Sequence, residues 1–212
     1  MTATKTNLYW SAYKNLEKEV LDLSFKISFD NTNLDNKTHS MGIADLILRS
    51  ASYIESISKD LYFTNGGTGD RDKVAYDHDC IYKLLTDWSL QKREVLLGIP
   101  THNLTKKEYL TFKPFDYSGT KEWRKKKRPI YSWNEAYQAL KHDLLESIPE
   151  YATIYNLLSV MATLFLLNVY YKNKKEQVRP ANMMESMEYF GPRRFAYDSS
   201  LFYIEGVYVK SD

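Results

Sequence analysis

Cysteine is nearly absent from this 212-residue chain, which contains only Cys80. A single thiol excludes an internal disulfide framework and a metal site built from several thiolates. We therefore expect no metal and no cofactor, and a reducing compartment suits the chain. The first residues also lack the apolar run of an export signal, so we expect a cytoplasmic protein.

Net charge is also small, because 29 basic residues are opposed by 27 acidic ones. Global electrostatics therefore predict neither nucleic-acid nor membrane binding, and local clusters have to be judged singly. The length suits one domain over residues 1–212 with a proper core. Tyrosine is the abundant residue, with 18 copies, and in a helical protein it commonly closes the edge of a core.

The stretch from Trp133 to Tyr171 predicts two helices in tandem. Ser132-Trp-Asn-Glu135 has the form of a capping box, which would begin one helix at Trp133. Ser147-Ile-Pro-Glu150 repeats the form, with Pro149 in a first turn where its missing N–H costs nothing. We therefore expect the first helix to end near Glu146 and the second to start at once.

The second helix of this pair is apolar on nearly all sides. No residue from Ala152 to Tyr171 is charged, so it is either a buried core helix or a membrane span of roughly 20 residues. Its polar residues, such as Asn156, Thr163 and Asn168, and the charged remainder of the chain favour the buried helix and no membrane contact.

Three further helices precede the pair. Apolar spacing predicts helices over about Asn7–Phe29, Met41–Phe63 and Asp70–Leu90. We expect a loop at 30–36, a glycine C-cap after Phe63, and a short strand or helix tail over Lys92–Leu97. An irregular insertion spans 98–131, with one helical turn near Thr105, and an extension spans 174–212, with a strand or hairpin over Ser199–Val209. The fold class is mainly α, a bundle of about five helices.

Potential metal ligands adjoin one another in Asp77-His-Asp79-Cys80 within the third of these helices. Adjacent helical residues point in different directions, so this tetrad cannot surround one ion. Arg49 and Glu55, near the middle of the second helix, are expected to form mutual or cross-helix ion pairs.

The insertion contains a strongly basic cluster, Lys121-Glu-Trp-Arg-Lys-Lys-Lys-Arg128. Its positive charges can bind phosphates and its tryptophan can stack a base, or the segment is simply a solvated loop. The candidate binding residues here are Trp123, Arg124, Lys125, Lys126, Lys127 and Arg128.

The polar helix of the pair gathers chemically active groups on one face. Asn134, Gln138, Lys141 and His142 share it, and Trp133 and Tyr137 flank it. An imidazole titrates near neutrality and can act as general acid or base, and the lysine can meet a phosphate. The alternative is that His142 hydrogen-bonds a neighbouring helix while the amides face water.

Two segments carry a family resemblance: Leu48-Arg-Ser-Ala-Ser-Tyr-Ile-Glu-Ser-Ile-Ser-Lys-Asp-Leu-Tyr62 and Trp133-Asn-Glu-Ala-Tyr-Gln-Ala-Leu-Lys-His-Asp143, the latter followed by Leu164-Phe-Leu-Leu-Asn-Val-Tyr-Tyr171. They resemble HEPN-like helical domains (higher eukaryotes and prokaryotes nucleotide-binding) of bacterial proteins. The resemblance implies an all-α bundle, often a homodimer. It also implies a superfamily rich in metal-independent ribonucleases of toxin and phage-defence systems.

The resemblance implies an active site of two residues for the ribonucleases of this superfamily. An arginine stabilises the phosphate, and a histidine four to six residues away transfers protons. This chain has His142 but no arginine in that window, where Glu135 and Tyr137 stand. Lys141, or Arg49 from another helix, would have to replace the arginine. We therefore expect a non-catalytic HEPN-like module that binds RNA, a nucleotide or a partner protein. The alternative is a ribonuclease that uses His142, Lys141 and Arg49, and a plain dimerisation scaffold is the third hypothesis.

Overall fold

The computed structural model describes residues 5–98, 104–116, 122–123, 128–129, 131–176 and 199–204, and in these ranges the chain is mainly helical. A π-helix over Tyr76–Ile81 continues directly into α4, and a short 3-10 turn spans Leu90–Lys92. The α-helices are α1 Lys5–Ser24, α2 Asn31–Asp35, α3 Met41–Thr64, α4 Tyr82–Trp88, α5 Lys107–Leu110, α6 Ser132–His142, α7 Leu144–Tyr151 and α8 Ile154–Glu176. The mainly α fold class is confirmed.

Helix α8 forms the centre, and α1, α3 and α6 pack against it. Its apolar side chains lie on all sides of the helix and are almost fully buried, among them Leu157, Met161 and Leu164. Polar side chains in α8 are satisfied within the helix, since Thr163 donates to the Ser159 carbonyl at 2.8 Å and Asn168 to that of Leu164 at 2.9 Å. The buried-helix prediction is therefore confirmed.

Among the helices that the structure describes, α8 is the one that is long and apolar enough to cross a membrane, judged by length and composition alone. Its window Ile154–Lys172 has a mean hydropathy of 1.4, and 83% of it is buried inside the protein. The all-round apolar surface that raised the membrane alternative is thus covered by neighbouring helices.

Helix α1 ends at Ser24, five residues before the predicted Phe29. The predicted loop after it is wrong, because residues 31–35 form α2. The Asp30 carboxylate caps α2 by accepting the Asn33 N–H at 2.8 Å, a bond that satisfies a donor with no partner inside the helix. The apolar stripe predicted for α1 is partly wrong too, since Leu8 is 58% exposed.

Helix α3 begins and ends almost where the sequence predicts. The Ser40 hydroxyl accepts the Ile43 N–H at 3.1 Å and starts the helix. At the other end Gly66 has φ of 77° and the Gly67 N–H donates to the Tyr62 carbonyl at 2.8 Å. A left-handed glycine with such a bond closes a helix end, which confirms the predicted C-cap.

The third predicted helix starts six residues late, and its first turns are π-helical. The Asp79 carboxylate accepts the Ala75 N–H at 3.0 Å, so the helix begins only after Ala75. Ser89 then ends α4 in a left-handed conformation, with φ of 51°. This segment therefore presents Tyr76 and Asp77 at a π-helical turn instead of in the middle of a long α-helix.

The capping boxes predicted for the tandem pair are not formed. The Tyr131 carbonyl accepts the N–H groups of Asn134 and Glu135, so Ser132 lies inside the first turn. The Ser147 hydroxyl donates instead to the Ala139 carbonyl at 3.1 Å, and Pro149 lies inside α7. The first helix therefore ends at His142 and not near Glu146.

Helix α8 begins at Ile154 because the preceding backbone pairs with residues 38–40. The Ala152 carbonyl accepts the Ser40 N–H, and the Ile154 N–H donates to the Thr38 carbonyl, each at 3.3 Å. These groups are unavailable for a continuous helix from α7 into α8.

A small antiparallel sheet closes one side of the bundle. Its strands are β1 Val95–Leu97, β2 Thr111–Phe112 and β5 Phe202–Tyr203, in the order β2-β1-β5, and β3 Glu122–Trp123 pairs separately with β4 Arg128–Pro129. The strand alternative for 92–97 is therefore the right one, the helical turn near Thr105 is present as α5, and a short C-terminal strand is confirmed. The part of the predicted hairpin beyond Ile204 lies outside the described residues.

Candidate functional site

Helix α6 is anchored by Trp133, which the sequence placed among the binding residues. This indole is fully buried, donates from Nε1 to the Pro114 carbonyl at 2.9 Å, and stacks on Tyr131 at a centroid distance of 6.1 Å. Trp133 thus fixes α6 against the insertion, and no face of it is open to a ligand.

Two further candidates, Asn134 and Gln138, bind the phenol of Tyr76. The Tyr76 hydroxyl donates to the Asn134 amide oxygen and accepts from Gln138 Nε2 at 2.9 Å. Asn134 Nδ2 also points to the Asp77 carboxylate at 3.4 Å. Burial and, after it, the charge of Asp77 raise the pKa of Tyr76, which keeps the phenol neutral.

A second cluster, which we call the Glu55 cluster, joins α3 to α6. The Tyr137 hydroxyl donates to Glu55 Oε1 at 2.8 Å, and Lys141 Nζ lies 3.4 Å from the same oxygen and 5.0 Å above the Tyr137 ring. The hydrogen bond with Tyr137, followed by the charge of Glu55, raises the pKa of Lys141. This ammonium is therefore cationic and already paired with a carboxylate. The cross-helix ion pair expected for Glu55 is present.

His142 is the last residue of α6 and is exposed. Within the described ranges its ring makes no hydrogen bond and no ion pair, so the interpretation that it bonds a neighbouring helix is wrong. The residues that follow it in the sequence include three exposed acids, Asp143, Glu146 and Glu150, which form no salt bridge with any described residue. Leu145 lies among them with 72% exposure.

Arg49 does not join Lys141 and His142. Its guanidinium donates to Asp45 at 2.9 Å and to both carboxylate oxygens of Glu19, at 2.8 and 2.5 Å. Arg49 and Glu55 are six positions apart, which separates them by about 9 Å along α3 and about 120° around it. The ion pair expected for Arg49 is present, and within one chain the arginine lies on another side of the helix from the Glu55 cluster.

The basic cluster is described only in part. Trp123 in β3 pairs through its backbone with Arg128 in β4, whereas Arg124, Lys125, Lys126 and Lys127 lie outside the described residues. The binding role of these six residues stays a prediction.

Sequence reasoning missed Tyr76, Asp77 and Glu55 as members of one polar surface with α6. The only sequence signal was the unusual Asp77-His-Asp79-Cys80 run, where the His78 and Asp77 side chains lie 3.5 Å apart. Burial raises the pKa of the Cys80 thiol to about 12. In the described ranges, no group of three or more His, Cys, Asp or Glu side chains has the arrangement of a metal site.

Comparison of the chain with protein-family models, with curated proteins and with solved structures finds no match.

Proposed function

We propose that the chain is a non-catalytic HEPN-like module that binds RNA, a nucleotide or a partner protein, and that a partner protein is the ligand the geometry favours. A role in bacterial defence or in a toxin–antitoxin pair is part of this proposal and rests on the resemblance alone. The same resemblance implies that the module works as a homodimer.

The main support for this proposal is that both candidate phosphate-binding cations already have carboxylate partners. Lys141 already pairs with Glu55, and Arg49 already pairs with Glu19 and Asp45. A phosphate at either residue would compete with a carboxylate that already neutralises the cation, which reduces the Coulomb energy that the phosphate gains.

The surface around His142 favours a protein ligand over a nucleic acid. Exposed Asp143, Glu146 and Glu150 repel phosphates, whose contacts supply most of the affinity for RNA. Exposed Leu145 offers the apolar contact that protein partners use. We assign partner binding to this α6–α7 surface, defined by His142, Asp143, Leu145, Glu146 and Glu150.

The partner is best sought by site-specific crosslinking in the native host. A photoreactive amino acid at position 145 is expected to capture a defined protein, and adding Glu146→Lys should abolish the adduct because it reverses a charge of the surface. The matched control carries the photoreactive residue at Tyr82, which is 48% exposed on α4. The same adducts from both positions would contradict the assignment.

A ribonuclease assay tests the alternative function. The purified chain, incubated with structured and unstructured RNA in the presence of a chelator, is expected to leave the RNA intact. Metal-independent cleavage that is lost in His142→Ala would replace the binding module with the ribonuclease. Strong RNA affinity that falls steeply with salt would instead support the nucleic-acid version of the module.

A further inference from the structure

Residues 199–203 dock on the bundle as an added strand. In the described sheet, β2 covers one side of β1, and β5 pairs with the other side, with Phe202 opposite Leu97. The Gly98 N–H donates to the Leu201 carbonyl at 2.7 Å and extends this pairing. A peptide that adds a strand to the edge of a sheet in this way gains affinity from main-chain bonds and specificity from side-chain pockets.

The bundle supplies a pocket for two neighbouring apolar side chains of this segment. Leu201 and Phe202 are almost completely buried. The Phe202 ring packs against Phe112 of β2 and Phe165 of α8, at centroid distances of 6.1 and 6.0 Å. Both rings belong to elements that precede the segment along the chain, so the rest of the chain forms the walls of the pocket.

One buried carboxylate, that of Glu17 in α1, binds the start of the segment. Its Oε1 atom accepts hydrogen bonds from the Ser199 hydroxyl and from the N–H groups of Ser200 and Leu201, at 2.6, 2.8 and 3.0 Å. The Ser199 hydroxyl oxygen also accepts the Phe202 N–H at 3.0 Å, so a turn inside the segment holds these donors together. Position 199 therefore requires a hydroxyl, whereas Ser200 is exposed and contributes its backbone.

The covalent connection to α8 does not position the segment. Residues 177–198 separate the two, and a chain of this length spans up to roughly 70 Å, which exceeds the width of a domain of 212 residues. The contacts with α1, α8 and the sheet therefore select where the segment lies. The connection adds a high effective concentration of the segment near its site.

We propose that α1, α8 and the sheet form a peptide-binding site for the pattern Ser-x-Leu-Phe, in which x is any residue, and that residues 199–202 of this chain are its tethered ligand. The peptide site is defined by Glu17, Leu97, Gly98, Phe112 and Phe165. It uses none of the residues of the α6–α7 surface, so this inference does not rest on the partner proposal. A peptide of the same pattern without the tether is expected to occupy the same site.

Emptying the site in the full-length chain tests the proposal. Leu201→Asp is expected to release the segment, because a charge would enter an apolar pocket. A fluorescent peptide of residues 197–206 with the native sequence should then bind the variant at least about tenfold more tightly than it binds the wild-type chain, whose own segment competes for the site. Fluorescence anisotropy measures the affinity, and circular dichroism verifies that the variant is folded.

Two peptide variants test recognition without any change in the bundle. Ser199→Ala in the peptide removes the hydroxyl that donates to Glu17 and should weaken binding at least about tenfold, since a hydrogen bond to a charged group is lost. Ser200→Ala is the matched control and should bind as well as the native peptide, because it keeps the backbone N–H. Equal affinities of these two variants would contradict recognition by Glu17.

A second form of the chain covers the case in which Leu201→Asp does not fold. A protease site inserted after residue 186 allows the folded wild-type chain to be cut. The C-terminal piece is expected to stay bound during size-exclusion chromatography and to exchange for the fluorescent peptide. Loss of the piece in native buffer, unfolding of the cut chain, or the absence of peptide binding to the folded forms would overturn the inference.

Discussion

Glu17 offers the sharpest test of how the C-terminal strand is held. Its side chain is almost fully buried, and it is the acceptor that ties residues 199–201 to α1. The Oε1 atom accepts four hydrogen bonds: from Ser199 Oγ at 2.6 Å, from the Ser200 N–H at 2.8 Å, from the Leu201 N–H at 3.0 Å and from the Tyr13 hydroxyl at 3.1 Å. Lys14 contacts the other oxygen. Replacing Glu17 by alanine leaves these donors without their acceptor.

The size of the effect follows from which donors are buried. Ser199 and Leu201 are 2% and 0% exposed, and Tyr13 is 0% exposed but keeps Ser199 Oγ at 2.8 Å as a partner. Ser200 is exposed and can turn to water. Each buried donor that loses its acceptor costs about 1–3 kcal/mol, so Glu17→Ala should lower the free energy of unfolding by about 3–5 kcal/mol. Glu17→Gln keeps an acceptor oxygen but loses the charge, so we expect the free energy of unfolding to fall by about 1–2 kcal/mol.

Urea unfolding followed by circular dichroism measures the global loss, and hydrogen exchange measures the local one. The Gly98 N–H donates to the Leu201 carbonyl at 2.7 Å, so its exchange should accelerate together with that of Leu201. Glu146→Ala on exposed α7 is the matched control and should change the free energy of unfolding by less than about 0.5 kcal/mol. If Glu17→Ala costs less than about 1 kcal/mol and the Leu201 amide stays protected, the reasoning about buried donors is refuted.

Three further predictions concern other parts of the molecule. Because burial raises the pKa of Cys80 to about 12, this thiol should resist alkylation at pH 8 in the folded chain and react promptly in urea, as followed by mass spectrometry. The Arg49 guanidinium holds the pKa of the Glu19 carboxyl below its ordinary value. The pair should therefore stabilise the fold by at most about 1 kcal/mol above pH 4.3 and lose this as pH falls through the lowered pKa, a loss absent in Arg49→Ala. Asn134→Ala removes the acceptor of the Tyr76 hydroxyl and should lower the free energy of unfolding, measured by thermal unfolding, by about 1–3 kcal/mol. His142→Ala, at an exposed position, should lower it by less than about 0.5 kcal/mol. Equal losses in the two variants would contradict the placement of Asn134 in the core.

The sequence determined the helices whose signals are local. Apolar periodicity located α3 almost to the residue, and the uncharged run in α8 marked the centre of the bundle. The same local signals failed where the tertiary structure supplies the partner of a backbone group. Ser147 has the spacing of a capping residue, yet its hydroxyl bonds the Ala139 carbonyl, and pairing with residues 38–40 separates α7 from α8. The Ser132 cap failed for a local reason, because the Tyr131 carbonyl starts α6 one residue earlier.

The candidate site shows the same division. Helical spacing alone placed Lys141 and His142 together on α6, and the sequence showed that no arginine accompanies them. Only the tertiary structure decided that Glu55, from a segment some 86 residues earlier, pairs with Lys141, because contacts between distant segments leave no periodic trace in the sequence. It also decided that Glu19 of α1 is the carboxylate that takes both guanidinium bonds of Arg49. Residue type and spacing thus fixed the chemistry available to the chain, and packing decided which of those groups are already occupied.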